Sequence, residues 1–167
     1  MRVYGGGAFP AYLIDAETLR EELLSEEDTR EWLEEVPDDP HAVSFWRMLG
    51  ELDRALEAGR ARLLEHEPGT TPWASAAVRL AHVHHWREEY AEAHDLLCAA
   101  EEVLAGEPEL LALVLQHRAK ALFDEGRYAE ARADAARALG LREQAGAGDG
   151  VVESSRETLD RIERELG

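Results

Sequence analysis

Positive charge, sulfur and long apolar runs are what this chain has least of. Its 36 Asp and Glu face only 18 basic residues, for a net charge of −18. Nucleic-acid phosphates require Lys and Arg to displace their counterions, so the deficit argues against a nucleic-acid partner. It argues equally against an anionic membrane surface. A basic protein or peptide partner is compatible with it, and solubility alone accounts for it as well. The basic residues are 17 arginines and a single lysine, Lys120, a bias associated with GC-rich bacterial coding sequence. Cys98 is the one cysteine, so no intramolecular disulfide can form, which suits a reducing cytoplasm. No run approaches the roughly 18 apolar residues of a membrane span. Arg2 is followed by Gly5, Gly6 and Gly7 rather than by the apolar core of a signal peptide.

Catalytic motifs are missing too. There is no GxSxG, no GxxxxGK[ST], and no GxGxxG following a strand. The glycines at 5–7 follow too short a strand to be a phosphate loop. Cys98 lies among Asp95, Glu101 and Glu102, which disfavours a thiolate. Paired acids such as Glu88 and Glu89 read as ordinary surface residues. The expectation is a protein that is not an enzyme and needs no cofactor.

What the chain does have is helical periodicity. Ala, Leu, Glu and Arg dominate, and glycine and proline fall mostly between periodic segments. Residues 1–14 read as an extended arm. Asp15 is placed to cap a helix from Ala16 carrying Leu19, Leu23 and Leu24. Ser25 and Asp28 resemble a capping box before a short helix with Trp32 and Leu33, ending at Pro37. Residues 15–39 hold twelve acids against Arg20 and Arg30, a segment of net −10 that reads as a solvated face or an acidic docking strip. Asp39-Pro40 predicts a helix start, with Phe45, Trp46, Leu49, Leu52, Leu56 and Leu63 following in one helix or a hairpin. Thr71-Pro72 opens the next helix, a turn at 87–89 leads to Tyr90, and Gly106 and Pro108 separate the following pair. Residues 142–150 read as a loop, and 151–166 as a last helix with Val151, Val152, Leu159, Ile162 and Leu166 inward.

Residues 72–105 and 108–141 form two copies of one pattern, 38 residues apart. Tyr90 aligns with Tyr128, Ala93 with Ala131, Leu97 with Ala135, Ala100 with Ala138, and Ala81 with Ala119. These small and aromatic positions resemble the tetratricopeptide repeat, a helix-turn-helix that stacks on copies of itself. The chain departs from the family in having alanine for glycine at Ala81 and Ala119, Glu88 in the turn where the second copy has Gly126, and Arg118 where leucine is usual. The resemblance is strong over 74–141, weaker over 41–67, and absent before residue 40. It implies a single all-α domain over 1–167, made of stacked hairpins in a right-handed superhelix. Extra N-terminal helices and a capping helix at 151–166 would supply the missing layers.

The resemblance also implies a concave groove lined by the first helix of each hairpin. Residues 72–87 and 110–123 contain no acid in this acidic chain. Helical spacing places Arg79, His82, His85 and Trp86 on one inner face, and Gln116, His117, Lys120 and Phe123 on the next. The set is similar in kind to the clamp that some tetratricopeptide domains use for a peptide carboxylate, with His and Gln where that clamp has Lys and Asn. A plainer account is that these residues only avoid crowding more acids. His82 with His85, and His94 with Cys98, have metal-compatible spacing, but no acid-plus-histidine signature accompanies them. The expected function is therefore a non-catalytic adaptor binding a protein or peptide in the groove. The alternatives are an acidic strip that engages a basic partner or masks this protein's own groove, a metal-dependent or catalytic role through His82, His85 and His94, and a structural homodimer.

Overall fold

A computed structural model describes residues 2–167; Met1 lies outside the described residues. Within them the chain is mostly helical. Eight helices follow a small N-terminal sheet: α1 (Glu26–Glu35), α2 (Ala42–Met48), α3 (Leu52–Leu64), α4 (Thr71–Trp86), α5 (Tyr90–Leu104), α6 (Pro108–Asp124), α7 (Tyr128–Gln144) and α8 (Asp149–Leu166). From α2 onward each helix packs on the next, so α2–α3, α4–α5 and α6–α7 form stacked hairpins closed by α8. The first helices of successive hairpins also touch, α2 with α4 and α4 with α6, which gives the stack an inner layer.

Local signals place the helix ends. Ser25 accepts from the Asp28 N–H at 3.1 Å and starts α1. Thr70, one residue before the expected position, caps α4 by accepting from the Trp73 N–H, and Pro72 sits in the first turn. α2 starts at Ala42, two residues beyond Pro40, with Asp39 accepting from the His41 N–H instead of capping directly. Gly50, at φ +75°, separates α2 from α3, so residues 42–64 are a hairpin and not one helix. The last interhelical loop is only 145–148; residues 142–144 still belong to α7.

Small side chains set the spacing of the stack. Ala74, Ala77 and Ala81 of α4 meet Leu97, Ala100 and Leu104 of α5 and Val114 of α6. Ala119, Leu122 and Phe123 of α6 meet Ala131 and Ala135 of α7 and Ile162 of α8. Alanine at these sites lets the helix axes approach closely. α4 and α6 are buried around most of their circumference, unlike α7. A helix buried on one face only would not behave this way, so something covers their inner side.

The cover is the segment expected to be an extended arm and a helix. It is a three-stranded antiparallel sheet of β1 (Val3–Gly6), β2 (Phe9–Ile14) and β3 (Glu21–Leu23), in that order. Tyr4 pairs with Tyr12, Tyr12 with Leu23, and Ile14 with Glu21. Gly5 has φ +71°, and a Cβ there would lie 2.3 Å from the Pro10 carbonyl oxygen, so only glycine fits this hairpin. Asp15 does accept N–H groups, from Thr18 at 2.7 Å and Glu17 at 3.1 Å, but it caps a turn and no helix follows. Leu19, at φ +59°, closes that turn and returns the chain into β3. The cost of this left-handed leucine, about 1–3 kcal/mol, is offset by burial: Leu19 is 3 % exposed, packed among α6, α7 and α8 residues. Pairing with β2 therefore overrides the helical spacing of Leu19, Leu23 and Leu24, and leaves Leu24 exposed.

The two hairpin turns differ in one informative residue. Glu88 has φ +61° where its counterpart Gly126 has φ +79°. Gly126 has open space around its missing Cβ, so a side chain there meets only the conformational penalty. Gly126→Ala should cost about 1 kcal/mol in urea denaturation. Glu88→Gly should cost less than half of that or stabilise, because relieved strain offsets glycine's added chain entropy.

Candidate functional site

The inner layer converges on one carboxylate. β3 delivers Glu21, 8 % exposed, onto the face shared by α2, α4 and α6. Its Oε2 accepts from Arg47 Nη1 at 3.0 Å, and its Oε1 lies 3.5 Å from Lys120 Nζ. His82 Nε2 is 3.8 Å from Oε2. Arg47 is only 2 % exposed, and its guanidinium lies over the Trp86 ring, 4.5 Å from the centroid. Arg20, next to Glu21, covers the same indole at 5.1 Å and bonds Asp124 Oδ2 at 2.8 Å. That carboxylate oxygen also bonds His85 Nε2 at 2.7 Å.

Burial and charge act in opposite directions here. Burial pushes the Glu21 carboxyl up, but Arg47, Lys120, His117 and a backbone N–H together hold it far below the usual range. The histidines move down. Burial leads for His82, reinforced by Arg47, His117, His85 and Lys120. Burial and then Lys120 lower His117 to about 3, against the pull of Glu21. His85 is lowered by burial despite its bond to Asp124. At neutral pH the cluster thus holds the Glu21 carboxylate beside uncharged imidazoles, with the His82 and His117 rings 4.4 Å apart, edge to face.

Beside this cluster lies a cavity of about 450 Å³ between the sheet and helices α2, α4, α6, α7 and α8. Tyr4 and Tyr12, stacked at 5.6 Å, form part of its roof. Phe45, Val78, Leu110 and Leu113 make apolar wall, and Glu21, Arg47, Arg79, Gln116, His117, Lys120 and Arg142 supply polar groups. Several buried polar atoms of these lining residues have no partner among the described residues: Tyr4 Oη, Arg47 Nε, Gln116 Oε1 and His117 Nδ1.

The eight residues expected in an open groove separate into three places. Arg79, Gln116, His117 and Lys120 line the cavity. His82, His85 and Trp86 lie beneath Arg20, Glu21 and Arg47. Phe123 packs with Leu19 and Ile162, and Arg161 crosses its ring at 4.7 Å. His82, His85, Gln116, Lys120 and Phe123 are all buried, so the groove is roofed and not open. Glu21, Arg47 and Arg142 were not singled out by sequence reasoning, and Tyr4 and Tyr12 were expected only to pack on a helix face. Arg47 alone left a trace, as a charge inside the apolar run AVSFWRM.

His84 and His94 are paired elsewhere. His84 Nδ1 meets Glu89 at 2.7 Å, and His94 Nε2 meets Glu125 at 2.9 Å. Cys98 is exposed beside Arg118. Among the described residues no three His, Cys, Asp or Glu side chains gather where one ion could be held, and no helix is long and apolar enough to cross a membrane. No protein-family model and no curated protein matches the chain.

Two predictions follow from the buried charges. Arg47→Ala leaves Glu21 with Lys120 only and should cost about 3–5 kcal/mol by urea unfolding; a loss below about 1 kcal/mol would contradict the ion pair. The second concerns acid. His82 and His117 sit below 6.5 when folded, so the unfolded chain binds more protons once pH falls under that value. Stability should drop from there by about 1 kcal/mol per histidine per pH unit. Glu21, depressed below 4.5, adds to the loss under that pH. Thermal melts between about pH 7.5 and pH 4 should show a steady fall in Tm, and a flat profile down to about pH 5 would refute the neutral histidines.

Proposed function

We propose that this protein is a non-catalytic binding module of the tetratricopeptide kind, in which the concave groove has become a roofed pocket. The observation that carries the reading is the position of Glu21. Its carboxylate lies between Arg47 of α2 and Lys120 of α6, on the inner face where a partner's carboxylate would otherwise sit. What remains open on that face is the cavity of about 450 Å³, a volume within the range of small-molecule sites.

The roof is tied at both ends. Trp32 Nε1 donates to the Ala8 carbonyl at 2.9 Å, and Leu23 and Tyr12 pack with Leu33 and Phe45 on the α1–α2 side. On the α8 side, Arg2 donates to the Gly150 carbonyl at 2.9 Å, and Glu17 meets Arg161 and Arg164. Leu19 is part of the helical core. Lifting the sheet would strand buried charges and expose that core, which disfavours a long peptide lying along the groove. A protein partner, if engaged, would meet the outer surface, where α1 presents Glu26, Glu27, Asp28, Glu31, Glu34 and Glu35 to solvent. That acidic face suits a basic surface. The absence of catalytic motifs, and imidazoles shielded from solvent, support binding over chemistry.

Hydrogen exchange of the full chain tests the roof. Amides of Leu13, Asp15, Glu22 and Leu24, which bond β2 to β3 and its flanks, should be protected to within about tenfold of those in α4 and α6. Exchange of these strands at near-unfolded rates, while α4 and α6 stay protected, would mean that the sheet is a removable cover and would return the open peptide groove.

A further inference from the structure

The cavity is charged in an unbalanced way. Four cationic side chains line it, Arg47, Arg79, Lys120 and Arg142, against one carboxylate, Glu21. Glu21 is engaged with Arg47 and Lys120. Arg142 has no carboxylate within ion-pair distance among the described residues; it is 9 % exposed and its one hydrogen bond is to the Ser155 hydroxyl. A guanidinium withdrawn from water without a counterion is costly, and an anion brought into the cavity removes that cost. This arrangement occurs in a chain of net charge −18, where carboxylates are the most abundant polar groups, so its lack of one here is not a matter of supply.

The unpartnered atoms add direction. Tyr4 lines the cavity together with Arg142, and its hydroxyl is buried without a partner among the described residues. Gln116 is 5 % exposed and donates through Nε2 to Thr158 at 2.7 Å, which leaves its Oε1 free to accept. The remaining wall is largely apolar. Phe9, Leu113 and Val151 line the cavity and are also exposed, so they mark its mouth.

Resting on the pocket reading above, we propose that the cavity binds a small organic carboxylate with an apolar or aromatic body. Arg142 and the Tyr4 hydroxyl take the acid group, Gln116 Oε1 accepts a hydrogen bond from a donor on the ligand, and the body packs on Val78, Leu110 and Leu113. A guanidinium and a hydroxyl lining one cavity offer donors to the two oxygens of a carboxylate. Arg47 and Lys120 are already engaged with Glu21, which leaves the acid group to Arg142, so a monoanion suits the site better than a phosphate.

Thermal shift and calorimetric titration of the full chain test this, with phenylacetate, 4-hydroxyphenylacetate and octanoate as probes. Phenylacetamide serves as the neutral control and phenyl phosphate as the phosphate control. At least one carboxylate should raise Tm and bind at least tenfold more tightly than phenylacetamide. Arg142→Gln should remove that preference while the unliganded variant melts at or above the parent, because an unpaired buried charge is gone. Leu113→Trp, at the exposed mouth, should block binding and still fold. Binding of phenylacetamide and the carboxylates with equal affinity, blocked by Leu113→Trp, would overturn the anion inference and leave the pocket standing. Tighter binding of phenyl phosphate would overturn the choice of carboxylate. No binding by any probe, with the strands still protected from exchange, would overturn the ligand inference and leave the roofed fold intact.

Discussion

One buried carboxylate, Glu21, ties the N-terminal sheet to the helical stack. β3 is three residues long, and a small sheet of this size has little stability alone. Its attachment comes from Glu21 reaching Arg47 on α2 and Lys120 on α6, and from Leu19 entering the core beside it. Each partner would be a liability without the others. Glu21 unpaired would carry a full desolvation cost, and so would Arg47 and Lys120 beneath the sheet. The three charges therefore specify one docking geometry for the roof, whatever their net contribution to stability.

The same cluster explains the character of the inner helices. Residues 72–86 of α4 and 110–123 of α6 hold no acid, and the carboxylate between Arg47 and Lys120, that of Glu21, is supplied from another part of the chain. His82 and His117 are neutral because burial and nearby cations both oppose a further positive charge. Trp86 lies under two guanidiniums, Arg20 and Arg47, an arrangement that lets cations be buried on an aromatic face. Beside this floor the cavity is lined by basic side chains together with apolar ones, Val78, Leu110 and Leu113 among them.

Much of the helical stack was legible in the sequence. Tyr90 and Tyr128, Ala93 and Ala131, and Ala100 and Ala138 recur because two hairpins solve the same packing problem with the same side chains. Ser25, Gly106 and Pro108 mark ends that depend on a few neighbouring atoms, and those ends lie where expected. The sheet was not legible. Leu19, Leu23 and Leu24 have helical spacing, and EEL carries no strand preference. The pairing of β3 with β2, and the closing of the turn by a left-handed Leu19, are decided by contacts with α6, α7 and α8 far along the chain. The inner-face residues were found as a group, through the missing acids. Their condition was not, because Glu21 is one of twelve acids in residues 15–39 and nothing local separates it from the exposed ones.

By itself, then, the sequence determined a mostly helical stack of hairpins, the small-residue seams between them, and a basic, histidine-rich inner face. These follow from periodicity and composition, which act over a few residues. Only the tertiary structure decided that the face is covered, that its carboxylate is internal, and that Arg142 from the end of α7 meets Tyr4 from the first strand around a cavity. The reason is that burial is a property of distant segments meeting. A charge run looks solvated until one member of it, Glu21, is found where water cannot follow.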